Sequence, residues 1–318
     1  MNNTIDLREA IAACAQKCGA DAVGFGSVSR VNDPAIAAIF PEAKTVIALL
    51  FRVLRGSYRG IEEGTTYYQY STTGVETNEE TIMPEALLRV CSVIEDAGYW
   101  GIPHRRIQQL RPERTQPNPE MLHHTWYEAG QNEAQLDFPR AAVACGLGEI
   151  GLSGALLTDA FGPFVRYAFV LTDAELEETP LAEPHLCDKC GKCRAACPGK
   201  AIDENGVLNR VQCSVYYRGA NSSTNPYMPV DAYGDLPNRD AILSGTATPD
   251  FEEAQRILAE TVFYPGIKRG YAASICGRAC DRACYVHLEE KGVLTKRFEQ
   301  PFRKRPVWKL SDIQHPKD

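Results

Sequence analysis

The chain has 318 residues, 44% hydrophobic and 24% charged, a make-up that excludes a disordered or fibrous protein and suits roughly two globular domains. Its formal net charge of -7 speaks against a polyanionic partner, so nucleic acid is not expected to bind outside a local basic patch. No apolar run of membrane-spanning length occurs, and the opening MNNTIDLREAIAACAQKCGADAVGFG holds neither an unbroken apolar stretch nor a twin arginine; the expectation is a cytoplasmic protein with no membrane span.

In chain order, LREAIAACAQKC carries apolar residues at helical spacing and predicts a helix over 5–18, leading into DAVGFGSV. PEAKTVIALLFRV is an apolar run fit for a buried strand, and a second helix is predicted over 84–97, followed by GYWGIPHRRI. DFPRAAVA reads as a short helix and runs into CGLGEIG, where Gly146, Gly148 and Gly151 have G-x-G-x-x-G spacing. A dinucleotide fold needs a strand before that motif, a helix after it and an acidic strand end about 20 residues on. The helix-like lead-in and the late Asp173 break that pattern, so the glycines are read as a tight turn or as backbone that lets a large flat ligand approach.

Twelve cysteines in a long chain without a secretion signal point away from a disulfide scaffold. Cys14, Cys18, Cys91 and Cys145 are scattered and are read as buried small side chains. CDKCGKCRAACP, by contrast, is C-x2-C-x2-C-x3-C-P from Cys187 to Pro198, the bacterial 4Fe-4S pattern, in which the fourth cysteine serves the neighbouring cluster. A zinc site is the alternative that C-x2-C alone would favour. Two cubes need eight thiolates, and downstream of Cys197 the chain offers Cys213, Cys276, Cys280 and Cys284. The crossover rule then assigns Cys187, Cys190, Cys193 and Cys284 to the first cluster, and Cys197, Cys213, Cys276 and Cys280 to the second.

SICGRACDRACYVHLEEKG is read as one helix capped by Ser274, which would set Cys276 and Cys284 about 12 Å apart along its axis, too far for one cube. The first gap is x3 where the ferredoxin pattern has x2, and Tyr285 stands where a proline is expected, so a distorted second site or a non-cysteine ligand such as His287 stays open. Between Cys213 and Cys276 lies an insertion with a helix predicted near 249–262. Its Tyr216, Tyr217, Tyr227 and Tyr233 suit either a lid over a cavity or a plain surface insertion.

FPRAAVACGLGEIGLSGALLTDAFGPFVRYAFVLTDAEL at 138–176, followed by the cysteine motif, resembles the shared core of epoxyqueuosine reductases and corrinoid reductive dehalogenases; FPEAKTVIALLF, AGYWGIP and FEQPFRKRPVW fit the same superfamily. The resemblance implies an α/β (α+β) fold: a nitroreductase-like sheet domain over 1–180 that holds base-off cobalamin and substrate, a two-cluster ferredoxin-like domain over 181–290 with an insertion at 214–272, and a tail over 291–318 packing back on the core. It implies a reductive reaction, of the dehalogenation or epoxide-reduction kind, on a small-molecule substrate, with electrons from an external low-potential ferredoxin or flavodoxin. The corrinoid would lie against Gly146, Gly148, Gly151 and Ser153, with Arg166 meeting a propionamide or an anionic substrate. The reaction needs a proton donor, and where the epoxyqueuosine reductases carry a catalytic aspartate this chain has Asn132, so HHTWYEAGQNEAQLD supplies the candidates Tyr127, Glu133 and His124. Two alternatives remain: a corrinoid-free ferredoxin-like electron carrier serving a partner, and a nicotinamide-linked oxidoreductase using GLGEIG.

Overall fold

The computed structural model describes residues 6–106, 134–261, 274–308 and 310. The chain divides into two compact units, each assembled from separate segments: one from 1–51, 83–147 and 167–182, the other from 52–82, 148–166 and 183–318.

The first unit carries a mixed α/β layer. Its elements are helix α1 (Leu7–Lys17), strand β1 (Ala22–Ser27), the short helices α2 (Val28–Val31) and α3 (Ala35–Ile39), and strand β2 (Thr45–Arg52), whose last residue opens the other unit. The carboxylate of Asp6 accepts the Arg8 N–H at 3.0 Å and caps α1, while Ile11 and Ala15 supply its buried face. The order in the four-stranded sheet is β1, β2, β6 (Val165–Thr172) and β3 (Gly101–His104), with β1 antiparallel to β2 in the register Gly24 to Ala48. β2 reads as a run of apolar residues because both its faces are covered: Val46 through Phe51 are all buried, each contributing about 1.5–3 kcal/mol where the side chain is large. Helix α5 (Met83–Asp96) packs on α1 and leads to strand β3 (Gly101–His104). Helix α6 (Phe138–Ala144), capped by Asp137, ends against β1 so closely that a Cβ at Gly24 would stand 2.1 Å from the Cys145 carbonyl oxygen.

The second unit holds helix α4 (Arg55–Glu63), π-helical turns at Tyr70–Glu76 and Asn78–Ile82, and a hairpin of β4 (Glu149–Ile150) and β5 (Leu156–Leu157); strand β6 (Val165–Thr172) starts here and continues into the sheet. Its other helices are α7 (Lys192–Ala195), α8 (Arg210–Tyr217), α9 (Arg239–Leu243), α10 (Phe251–Glu260) and α11 (Ala279–Lys291). An aromatic stack organises its core: Phe164 lies parallel to Tyr285 at 4.2 Å and against Tyr58 at 4.1 Å, with the Phe302 edge on all three rings. Tyr285, which stands in place of the expected proline, therefore holds that core together. The insertion builds a small core of its own around Val215, Tyr216, Tyr233, Ile242, Ala254 and Ile257. Tyr216 and Tyr233 are buried in it, Tyr233 with its hydroxyl on Thr261 at 2.8 Å, so these two are packing residues and not part of a lid.

The long helix over the last three cysteines is shorter than the spacing suggests. It begins at Ala279, and the residue before it, Arg278, is left-handed at φ 50°, as is Gly277 at φ 49°. Ser274 caps no helix; its hydroxyl accepts the Gly277 N–H at 2.9 Å and closes a buried turn. A Cβ on Gly277 would meet the Ile61 side chain at 2.5 Å, so the turn is pressed against α4 and a glycine is required there. Cys276 thus sits in the turn, and only Cys280 and Cys284 are helical.

Candidate metal centres

The eight cysteines downstream of residue 186 fall into two groups, both inside the second unit. Cys187, Cys190, Cys193 and Cys284 line one pocket, together with Gly151, Ser153 and His287. The thiols acting on Cys284 are those of Cys193, Cys187 and Cys190, and burial is the main cause of its raised pKa. Cys190 is exposed, so this group reaches the protein surface. The other four form the second group: Cys276 feels Cys213 and Cys197, and Cys280 feels Cys276 and Cys213. Burial pushes the Cys276 thiol up to about 12, and burial followed by the neighbouring Asp281 carboxylate raises Cys280 well above the usual thiol range. Four converging thiols are a donor set for a soft metal or an iron-sulfur cube, and buried thiols of this kind are held as thiolates by ligation.

Backbone donors point at three of these sulfurs. Leu152 N–H reaches Cys187 Sγ at 3.2 Å, Ala201 N–H reaches Cys197 Sγ at 3.4 Å and Ala279 N–H reaches Cys276 Sγ at 3.5 Å. Such donors favour a charged sulfur and tune a cluster's potential. Glu149, in the middle of CGLGEIG, is buried, and its carboxylate accepts the backbone N–H groups of His185 at 2.5 Å, Leu186 at 2.9 Å and Cys187 at 2.7 Å. It pins the loop that delivers the first cysteine. This role was invisible in sequence because the partners lie 36 to 38 positions away.

His287 lines the pocket of the first group, not the second, and its Nε2 lies 2.9 Å from Asp188. The hydrogen bonds from His287 and Lys291 hold the Asp188 carboxyl below the usual carboxylate range. Asp188, Cys190 and His287 offer ligand atoms within 4.8 Å of one another.

Beside the second group of thiols lies a polar cluster that the sequence reading did not assemble. Arg166 donates to the Tyr70 hydroxyl at 2.8 Å and pairs with Glu79 at 3.0 Å, so it is committed to its own chain and not displayed on a surface. Tyr58 packs on Tyr70 at 4.7 Å, and its hydroxyl is buried with no hydrogen-bond partner among the described residues. Arg278 acts on Tyr70, Tyr217 and Cys280 alike and is clasped by Asp281 at 2.7 Å. Burial raises the Tyr70 pKa well above the usual phenol range, which keeps it protonated.

The glycines of CGLGEIG are closed over by the chain itself. A Cβ on Gly146 would stand 2.5 Å from the Pro180 carbonyl oxygen, one on Gly148 2.0 Å from that of Leu157, and one on Gly151 2.9 Å from the Leu157 side chain. Gly148, with φ 148°, serves the β4–β5 hairpin, while Gly154 faces open space. The motif follows helix α6 and enters a two-residue strand, which is not the strand-turn-helix of a dinucleotide fold. His124, Tyr127 and Glu133 lie outside the described residues.

No family model matches the chain. Among curated proteins it is similar to a tetrachloroethene reductive dehalogenase of Dehalobacter restrictus, 38% identical over 102 residues, and to an epoxyqueuosine reductase of Gloeobacter violaceus, 34% identical over 88 residues. These matches take in 30% and 28% of this chain, and only 17% and 27% of the two relatives. Among solved structures, a catabolic reductive dehalogenase in complex with 3-bromo-4-hydroxybenzoic acid shares the fold over 86% of this chain and 41% of its own, with a TM-score of 0.51 at 17% identity. The chain is thus similar, over part of its length, to both epoxyqueuosine reductases and reductive dehalogenases. Another structure of the superfamily, an epoxyqueuosine reductase with a TM-score of 0.47 and 15% identity, holds an epoxyqueuosine-modified tRNA stem loop. Among the described residues no helix is long and apolar enough to cross a membrane.

Proposed function

We propose that the protein is an iron-sulfur oxidoreductase that carries out a reductive cleavage on a small molecule, with cobalamin in a nitroreductase-like sheet domain and electrons from an external low-potential donor. The observation that carries this reading is the division of the eight thiols into two groups of four, which suits a 4Fe-4S cluster on Cys187, Cys190, Cys193 and Cys284 and another on Cys197, Cys213, Cys276 and Cys280. When bound, the clusters supply electrons singly and a corrinoid supplies the metal centre for a two-electron cleavage. Replacing a carbon-halogen bond by carbon-hydrogen consumes two electrons and one proton and releases halide; opening a carbon-oxygen bond consumes a second proton.

This chain's own contribution is to hold the thiols, keep water out and supply the proton. The best supported donor is the Tyr70 hydroxyl, with Arg166 on its oxygen to stabilise the phenolate left behind. Tyr127, Glu133 and His124 are the rival candidates. The corrinoid rests on the family relationship; Gly146, Gly148 and Gly151 are occupied with their own turns, which leaves Ser153 and Gly154 as the candidates to face a ligand.

Anaerobic purification followed by iron and sulfide analysis, then reconstitution with cobalamin and a visible spectrum, tests the reading. Two clusters with added corrinoid bands support it. Clusters without corrinoid uptake would make the protein an electron carrier, and zinc in place of iron would remove the redox reading altogether.

A further inference from the structure

Glu62, on α4, is one of the most deeply buried carboxylates of the chain, with a side chain 3% exposed. It pairs with two arginines, Arg282 and Arg303. Arg282 is itself buried, 9% exposed, and lies on α11 between Cys280 and Cys284. Its two remaining donors go to the backbone of the cysteine turn: Nη2 to the Cys276 carbonyl at 3.1 Å and Nε to the Gly277 carbonyl at 3.1 Å. Arg303 belongs to the C-terminal strap, which is tied along the same helix by Arg59 to the Phe302 carbonyl at 3.1 Å, Arg305 to Glu63 at 2.9 Å and Trp308 Nε1 to the Ile61 carbonyl at 2.9 Å.

A buried ion triad of this kind is costly to form by desolvation, so it is weak as a source of stability, whereas its geometry and charge are rigidly defined. The position of that charge is informative. Arg282 spans the left-handed Gly277–Arg278 turn that makes Cys276 depart from the helix, and its guanidinium is held against the backbone of that turn by both carbonyl contacts. Positive charge beside a cluster favours the reduced, more negative form, and hydrogen bonding and net charge around the sulfurs set the potential.

We propose that Arg282, anchored by Glu62 and Arg303, is a positioning residue that holds the Cys276 turn and sets the reduction potential of the second cluster, independently of the first. This rests on the two-cluster reading above. Glu62 is the screen: it cancels part of the arginine charge that the second cluster feels. The strap at 300–308 thereby takes part in the redox properties of a site to which it contributes no ligand.

The test is an anaerobic redox titration of the full chain, followed by electron paramagnetic resonance, for wild type, Arg282→Gln and Glu62→Gln. Iron analysis of the wild type comes first: fewer than two clusters refutes the two-cluster reading itself, before any variant is compared. With two clusters present, Arg282→Gln removes positive charge and moves the second cluster to a more negative potential. Glu62→Gln unmasks positive charge and moves it the opposite way. Each shift should be at least tenfold in the reduction equilibrium, about 59 mV for one electron, while the first cluster keeps its potential. Arg282→Lys, which retains the charge, should stay near wild type even if Arg282→Gln yields too little folded protein. Shifts of the same sign in the Arg282→Gln and Glu62→Gln variants, equal shifts of both clusters, or no shift in Glu62→Gln would overturn the proposal, since a merely structural role has no reason to produce opposite signs on one cluster.

Discussion

Glu149 shows how a single residue can carry more of a site than its motif announces. In GLGEIG the glycines draw attention, yet the buried carboxylate between them accepts three backbone N–H groups of the loop ending in Cys187. Hydrogen bonds to a charged acceptor are worth about 1.5–3 kcal/mol each, and burying the donors without it adds a desolvation cost. Glu149→Ala should therefore destabilise the loop by about 3 kcal/mol or more and cost the first cluster about four irons per chain while the second is retained; unchanged iron content would refute the role. Gly148→Ala is expected to be destabilising by more than 1 kcal/mol in thermal unfolding, because the added Cβ meets the Leu157 carbonyl oxygen at 2.0 Å. A bulky residue at Gly148 is thus a poor probe of corrinoid binding, as any loss would come from the hairpin. Tyr70→Phe removes the hydroxyl held by Arg166 and leaves the aromatic packing in place. Turnover should fall about 100-fold or more with both cluster signals intact, the scale of a general acid; full activity in that variant would return the proton to the candidates at 124–133.

At the scale of elements, what was legible in sequence was what is determined locally. The helices at Leu7–Lys17, Met83–Asp96 and Phe251–Glu260 follow their apolar period and their Asp caps where present, and β2 follows its unbroken apolar run. The thiol spacing from Cys187 to Cys197 is likewise short-range. What escaped was set by distant contacts. The segment from Ser274 reads as one helix by its i, i+4 cysteines, but Ile61, more than 200 positions earlier, presses on Gly277 and forces the left-handed turn. The tyrosines of the insertion suit a lid and a plain surface insertion equally in sequence, because nothing there reveals that Tyr216 and Tyr233 close a core with Ile242 and Ile257. Tyr285 stands where the ferredoxin pattern has a proline, and its ring is stacked on Phe164 at 4.2 Å. Tyr285→Ala should cost about 3–5 kcal/mol of stability, measured by denaturant unfolding of the anaerobic protein. A cost below about 1 kcal/mol would mean that the aromatic stack does not hold the second unit together.

At the scale of the whole molecule, the chain pairs a sheet-bearing unit with a unit that contains both thiol groups, a core of stacked aromatics and a C-terminal strap. The fold is shared with a reductive dehalogenase over most of this chain but under half of that protein. Cys190 is exposed, whereas Cys276 and Cys280 are half-buried and Cys280 lies near Arg278.

The central claim is the division of eight thiols into two independent cluster sites that interleave along the chain, and the pair Cys284→Ser and Cys280→Ser tests it most directly, because the two residues are one helical turn apart on α11. Iron and sulfide per chain, with electron paramagnetic resonance of the reduced protein, should give about eight irons in the wild type and about four in each variant. Cys284→Ser should retain the signal of the cluster on Cys197, Cys213, Cys276 and Cys280, and Cys280→Ser the other. Loss of the same signal in both variants, or full iron content in either, would contradict the account.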